Sequence, residues 1–400
     1  MTDAQQLLLQ ILGAQLFGRE LPDFDGVDWP ALVKEAEQQT VFPLMFSAVE
    51  SRLPEELVPK CQSKYFMYAG TSIRNAHQHG KVHKLLAGNG IPYVIIKGMA
   101  SASYYPDPFL RSMGDVDFLI DKSNIPAVTA LLKNAGYSTN EKSDHPAHLA
   151  FRKGSETIEM HWEPNGLPEG EKGELCRKYL EDIIPTGIGY DTQNEHFIIP
   201  DTFHHGLVLL LHTATHIINT GVGLRHLCDW ALFAGKTEDA EFRALFEEKL
   251  KAVGLWRFAQ LLTRVSVRYL GSPEKAWAAD NAEDTDGALL EAMIGDVFDA
   301  GNFGRKDSER LNEAKLMTSG KSGTVDGSKG VLFKALTEKA YKAMPVCKKA
   351  KILLPIGWIV AGVKHLKLVR KGRRPKIHVG KMLAGAEKRR NIYTQFKLYQ

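Results

Sequence analysis

Two aspartates separated by one residue open the chemical reading of this 400-residue chain. Asp115-Val116-Asp117 runs into Phe118-Leu119-Ile120, and if 115–120 is a strand its side chains alternate between faces. Val116, Phe118 and Ile120 then face a core, and Asp115 and Asp117 share the other side. Two like charges held together repel each other unless a cation lies between them, and Mg²⁺ takes hard oxygen ligands from one or two carboxylates and from substrate phosphates. A further strand is expected over 157–162, with Ile158, Met160 and Trp162 on one face and Glu159 and His161 on the other. Placed side by side, the strands would gather Asp115, Asp117 and Glu159. Three carboxylates bridging two divalent ions is an arrangement for in-line attack of a hydroxyl on an α-phosphate. Glu159 would help hold the ion on the nucleophile side or accept the hydroxyl proton. Lys97 and Arg111 add cations on either side, as phosphate recognition requires. Asp-x-Asp is also common in solvated turns; the alternating apolar strand, Gly98 in a strand-to-helix turn and the second acidic strand lift it above that background.

The elements that must position these groups follow from periodicity. Tyr93-Val94-Ile95-Ile96 is a short β-branched run, and 125–135 has helical spacing closed by Gly136. Strands separated by such a helix imply an α/β or α+β sheet domain over 91–200. Residues 1–90 read as helices, the last over 63–86 and stopped at Gly88-Asn89-Gly90. Helical spacing returns in 203–219, 224–234 and 241–270, giving a helical domain over 201–300. Residues 301–330, with Thr318-Ser-Gly-Lys-Ser-Gly-Thr, have linker composition, and 331–400 form a basic C-terminal segment. The fold class expected is α+β, a small mixed sheet flanked by N-terminal and C-terminal helical regions.

The formal net charge of +4 hides a split, because residues 329–400 hold 19 basic and 2 acidic side chains, leaving a net −13 on the rest. For this tail the first expectation is partial docking on the acidic body of its own chain. Peripheral contact with an anionic membrane comes second, because 356–369 mixes apolar residues with lysines; nucleic acid comes third, lacking any stacking platform. Hydrophobic content of 44% excludes a wholly disordered chain. Cys61, Cys176, Cys228 and Cys347 lie far apart, which fits reduced thiols in a cytoplasm better than a disulfide framework or a zinc site. The N-terminus lacks the basic start of a signal peptide, and the longest apolar span, 353–363, is about half of what a bilayer requires.

Lys97-Gly98, Tyr105-Pro106, Arg111, Asp115-x-Asp117 and Glu159-Met-His161-Trp162 together resemble the motif set of the uncharacterised bacterial nucleotidyltransferase family, within the polymerase-beta-like superfamily. His212-Thr-Ala-Thr-His216 and Gly223-Leu224-Arg225-His-Leu-Cys-Asp229 resemble that family's helical segment, and Gly301-Asn302-Phe303-Gly304 and Leu354-Pro355-Ile-Gly-Trp358 do so more loosely. The resemblance implies Asp115, Asp117 and Glu159 as metal ligands, with Glu159 where relatives often have Asp. It implies that Gly98 lets a triphosphate approach the backbone and that Lys97 and Arg111 contact phosphate or nucleotide. Met99 stands where the wider superfamily usually has Ser or Gly.

His212 and His216 lie one helical turn apart, but Thr213 follows His212, so the metalloprotease His-Glu-x-x-His pattern is absent. They are expected as a satisfied pair near the cleft or core, and, with His161, as candidates for the acceptor cleft. His145-Pro-Ala-His148 reads as a loop, and Arg225 with Asp229 as a helix-surface ion pair. Gly320-Lys321-Ser322 lacks the first glycine and the preceding strand of a phosphate loop. The expected activity is Mg²⁺-dependent transfer of a nucleoside monophosphate, AMP from ATP, to a hydroxyl of a small metabolite, sugar, peptide or protein. The competing reading is a non-catalytic nucleotide sensor or assembly partner that retains the fold.

Overall fold

The computed structural model describes residues 1–140, 147–280, 286–307, 339–370 and 379–400, together with 310, 313, 314 and 337. Thr318 to Thr324, Gly320-Lys321-Ser322 within them, and His145 lie outside the described residues. Helices α1 (Asp3–Phe17), α2 (Trp29–Gln38), α3 (Phe42–Val49) and α4 (Val58–Ala87) precede the sheet. Local chemistry sets their ends. Thr2 and Gln5 form a capping box at the start of α1, Gly18 closes it in the left-handed region at φ 67°, and Asp28 with Pro30 starts α2.

A mixed five-stranded sheet then forms in the order β1-β2-β5-β4-β3. Its strands are β1 (Tyr93–Ile95), β2 (Val116–Ile120), β3 (Ser138–Thr139), β4 (His148–Lys153) and β5 (Glu156–His161), with the short helix α5 (Met99–Ala102) after β1. Strands β2 and β5 pair in parallel, while β1 with β2, β4 with β5 and β3 with β4 are antiparallel. Parallel pairing needs a crossover, and here it carries α6 (Ile125–Asn134) and the β3–β4 pair. One sheet face, with Val116, Phe118, Ile120, Ile158 and Met160, packs on Val82 and Leu86 of α4 and Val128 and Leu132 of α6. Val94, Ile96 and Leu119, from the opposite face, join the larger core built by the helical regions.

The fold class agrees with the sequence reading: an α+β chain with a small mixed sheet between helical flanks. Its details differ. Strand β5 begins and ends one residue earlier than expected, and Asp115 lies just before β2. His148 opens β4 instead of sitting in a loop, and a β6 (Ile188–Asp191)–β7 (His196–Ile199) hairpin was unforeseen. After α7 (Glu171–Tyr179), α8 (Thr202–Ile218) and α9 (Leu224–Lys236), the expected 241–270 segment is broken at Gly254, which takes φ 72° and caps the helix Glu248–Val253. A Cβ there would meet Gln400 N at 2.7 Å.

That contact belongs to the docked end of the basic tail. In the C-terminal helix Val379–Thr394, Arg389 is buried and donates to Glu313 at 3.1 Å, to Arg310 O at 3.0 Å and to Ile218 O at 2.6 Å. Tyr393 Oη donates to Asp296 Oδ2 at 2.7 Å, and Arg310 pairs with the same oxygen at 2.6 Å. The guanidinium of Arg389 thus serves the free carbonyls at the C-terminal end of α8 and neutralises a buried glutamate at once. All four cysteines are buried and free. Among the described residues, no helix is long and apolar enough to cross a membrane.

Because Arg389→Met would leave Glu313 and the α8 carbonyls without this partner, it should cost about 3–5 kcal/mol. Equilibrium urea unfolding checks this; a loss below about 1 kcal/mol would contradict the docked arrangement.

Candidate active site

The parallel register of β2 and β5 places Asp117 opposite Glu159, with Val116 opposite Ile158 and Phe118 opposite Met160. A two-residue side-chain period therefore sends both carboxylates to the sheet face away from α4 and α6. Asp115 stands beside them, and the oxygens of Asp115, Asp117 and Glu159 lie within 4.8 Å of one another. All three border a cavity of about 290 Å³, with Lys97, Gly98 and Arg111.

Crowded carboxylates in a poorly hydrated cleft cannot all ionise freely. Burial, then the charges of Asp117 and Glu159, push Asp115 up to about 6. Burial would also raise Asp117, but the Lys97 ammonium and His161 outweigh it and hold that carboxyl well below the usual range. Lys97 Nζ donates to Asp117 Oδ1 at 2.9 Å; burial opposes its charge, yet Asp117 raises its pKa. His161 Nε2 lies 3.0 Å from Asp117 Oδ1 and 3.4 Å from Glu159 Oε2. An ionised carboxylate only accepts hydrogen bonds, so this nitrogen carries the proton. Its bond is the main reason that Glu159 is lowered, against the effect of burial. His161 is fully buried, bonded to the carboxylates, and is not among the side chains that border the cavity.

The turn after β1 brings Gly98 to φ 59°, a region that side chains rarely tolerate. A Cβ there would lie 2.7 Å from His79 Nε2. On α4, His79 Nδ1 donates to Asn75 O at 2.8 Å, Asn75 donates to Gly114 O at 3.2 Å and Ser72 to Arg111 O at 3.3 Å. From the other side, Arg225 of α9 donates to Ser112 O at 2.9 Å. The segment that leads into Asp115 is thus gripped by two helices.

Arg111 borders the cavity but directs its fork at Asp229, donating from Nε and Nη2 at 2.7 Å each, with Nη1 at 3.4 Å from Gly98 O. Tyr105 Oη donates to the same aspartate at 2.8 Å. The expected surface pair of Arg225 with Asp229 is therefore replaced by a buried pair between Arg111 and Asp229, because α9 turns Asp229 inward. Both charges are desolvated, so removing either partner would be costly.

Of the expected site residues, Lys97, Gly98, Arg111, Asp115, Asp117, Glu159, His212 and His216 border one cavity, and His161 supports it from behind. Sequence reasoning missed His79, His226 and Phe303. The last two lie in stretches singled out by family resemblance, whereas nothing in the local pattern pointed to His79, which reaches Gly98 only through tertiary packing. Three hard oxygen donors suit Mg²⁺ rather than a soft metal, and the protonated His161 nitrogen bonded to two of them is the kind of outer contact that fixes ligand orientation. His148, Glu159 and His161 form a second group with donor atoms within 4.8 Å, but it shares Glu159 with the first.

The raised pKa of Asp115 has a consequence for stability. A carboxyl shifted from 3.8 to about 6 binds its proton more tightly when folded, so folding stability falls as pH rises through that window. Asp115→Asn should therefore stabilise the metal-free protein at pH 7.5, by on the order of 3 kcal/mol at most, with the gain vanishing below pH 4. Asp117→Asn should destabilise at neutral pH, because it removes the buried carboxylate that Lys97 and His161 both bond. Urea midpoints for both variants across pH 4–8 check the signs; a destabilised Asp115→Asn at pH 7.5 would contradict the crowding.

Residues 25–271 match the family described as "Uncharacterised nucleotidyltransferase". Among solved structures, an antigenic nucleotidyltransferase-like protein from Paracoccidioides brasiliensis is similar at 16% identity, with a TM-score of 0.36 over 53% of this chain and 99% of that one. No curated protein sequence matches the chain. With the family match spanning more than half of its length, the chain belongs to the uncharacterised nucleotidyltransferase family.

Proposed function

We propose that the protein transfers a nucleoside monophosphate, AMP from ATP, to the hydroxyl of an acceptor, with Mg²⁺ held by Asp115, Asp117 and Glu159. The observation that carries this reading is the register that sets Glu159 opposite Asp117 on the cavity side, with Asp115 in reach of both. Bound there as one or two ions, Mg²⁺ would offset phosphate charge and lower the pKa of the attacking hydroxyl. The chain's own residues hold and orient. Gly98, whose positive φ and close approach to His79 shape the turn, borders the cavity where a triphosphate would meet its backbone, and Lys97 supplies a cation beside Asp117. Arg111 acts at one remove, fixing the Gly98 carbonyl through its pair with Asp229. In the transfer, the acceptor oxygen bonds to the α-phosphorus, the bond to the bridging oxygen breaks and pyrophosphate leaves. Glu159, held ionised by its His161 bond, would take the hydroxyl proton.

One observation favours the second reading, a nucleotide sensor without turnover: Lys97 and His161 both already bond Asp117 Oδ1. Pyrophosphate release across a broad acceptor screen separates the two. We expect Mg²⁺-dependent release by the native protein and a loss of at least about 100-fold in Asp115→Asn/Asp117→Asn, with Glu159→Asp retaining more activity than Glu159→Gln. Nucleotide binding with no release from any acceptor would favour the sensor.

The exposed apolar face of the tail supports a place for the protein at an anionic membrane surface. Ile352, Ile356, Ile359 and Val363 recur at helical spacing along the turn and helix over 351–370 and are 88%, 51%, 67% and 46% exposed. No acidic residue occurs between Glu338 and Glu387, while 13 basic ones do. Like charge disfavours a second copy of this face, and anionic lipid complements it at about 1 kcal/mol per basic residue. Because Arg389 ties the chain end to the body, point changes probe this better than truncation. Ile356→Asp/Ile359→Asp should abolish salt-sensitive sedimentation with phosphatidylserine vesicles; equal sedimentation of both proteins would sink the idea.

A further inference from the structure

Opposite the carboxylates, the wall of the same cavity is built by the helical region and contains Phe303, His212, His216 and His226. Phe303 is a large aromatic residue left 41% exposed, and its backbone lies in the left-handed region at φ 54°, ψ 36°. That conformation costs a residue with a Cβ about 1–2 kcal/mol, and such outliers cluster where a ligand is clamped. Neighbouring glycines enforce it: Gly301 and Gly304 have φ 63° and 72°, and a Cβ on Gly304 would lie 2.7 Å from Thr220 O. The turn thus projects a ring into the cavity at the expense of local strain.

Three imidazoles surround that ring. His216, His226 and His212 have centroids 4.7, 5.1 and 6.4 Å from that of Phe303, and the Arg225 guanidinium lies 5.7 Å from it. His212 Nδ1 and both ring nitrogens of His226 are buried without a hydrogen-bond partner, a cost of about 1–3 kcal/mol each unless a ligand or water satisfies them. Burial holds these rings neutral, and a neutral imidazole offers one donor and one acceptor. Such a wall suits a flat, uncharged group with both donors and acceptors on its edge. The cation on this wall, Arg225, already donates to Ser112 O at 2.9 Å, and the imidazoles beside Phe303 carry no charge to offset a phosphate.

We infer that Phe303 is the stacking platform for the base of the nucleotide, with His212 and His226 facing its polar edge, so that the base binds on the helical wall and the phosphates on the sheet wall. This rests on the nucleotidyltransferase reading above. Calorimetric titration of the full-length protein with Mg²⁺ and each of ATP, GTP, CTP, UTP and inorganic triphosphate separates the two. Phe303→Ala should weaken the tightest nucleoside triphosphate by about ten-fold or more and leave inorganic triphosphate within about two-fold. Phe303→Tyr, which keeps the ring, should retain nucleotide affinity and so guard against a folding defect in the alanine variant. Equal weakening of nucleotide and inorganic triphosphate, or no weakening of either, overturns the platform while the phosphate and metal site stands. Failure of the native protein to bind any of the five ligands overturns both readings.

Discussion

Electrostatic crowding on one strip of sheet is the constraint around which the protein is arranged. Asp117 and Glu159 are locked opposite each other by backbone pairing, and Asp115 is in reach of both. Their repulsion cannot be relieved by moving apart without breaking the β2–β5 ladder. Relief must come from neighbours, and it does: Lys97 and His161 bond Asp117, His161 reaches Glu159, and Asp115 is left with its pKa near 6. The crowding that remains at Asp115 is what the proposed cation would relieve.

The rest of the molecule holds that strip and its cavity in place. Helix α4 grips the 111–114 loop from below through Ser72 and Asn75 and fills the space under Gly98 with His79. Helix α9 grips it from above through Arg225 and through the Asp229–Arg111 pair. Helix α8 carries His212 and His216 on the opposite wall, and its C-terminal carbonyls are served by Arg389 from the far end of the chain. The tail is therefore two things. Its last residues are structural, and the stretch before them keeps an apolar, basic face toward solvent.

Much of this was legible in the sequence because it depends on a period of two. Alternation in 115–120 and 157–162 separated Val116, Phe118, Ile158 and Met160 from Asp117 and Glu159, and the register obeys that division. Helix stops were legible where glycine marks them, as at Gly88. What could not be read depends on tertiary choice. Arg225 and Asp229 have the spacing of a surface pair, yet α9 packs with Asp229 inward, where Arg111 meets it. His161 has strand alternation that puts it beside Glu159, but only the sheet's depth shows that it stands behind the carboxylates and not in the cleft. Gly254 interrupts a helical pattern because the chain end packs against it, 146 positions downstream at Gln400. Phe303 lies in the loosely family-like Gly301-Asn302-Phe303-Gly304 stretch, but its left-handed backbone and the histidines around its ring depend on tertiary packing.

The central claim is that Asp115, Asp117 and Glu159 form a divalent-cation site that binds nucleotide phosphates. Anomalous diffraction from crystals soaked with Mn²⁺ and a non-hydrolysable ATP analogue tests it most directly. The account predicts Mn²⁺ peaks within coordination distance of these three carboxylates, with the analogue's phosphates beside the Gly98 turn. Mn²⁺ bound elsewhere, or phosphates seated away from this cavity, would contradict it.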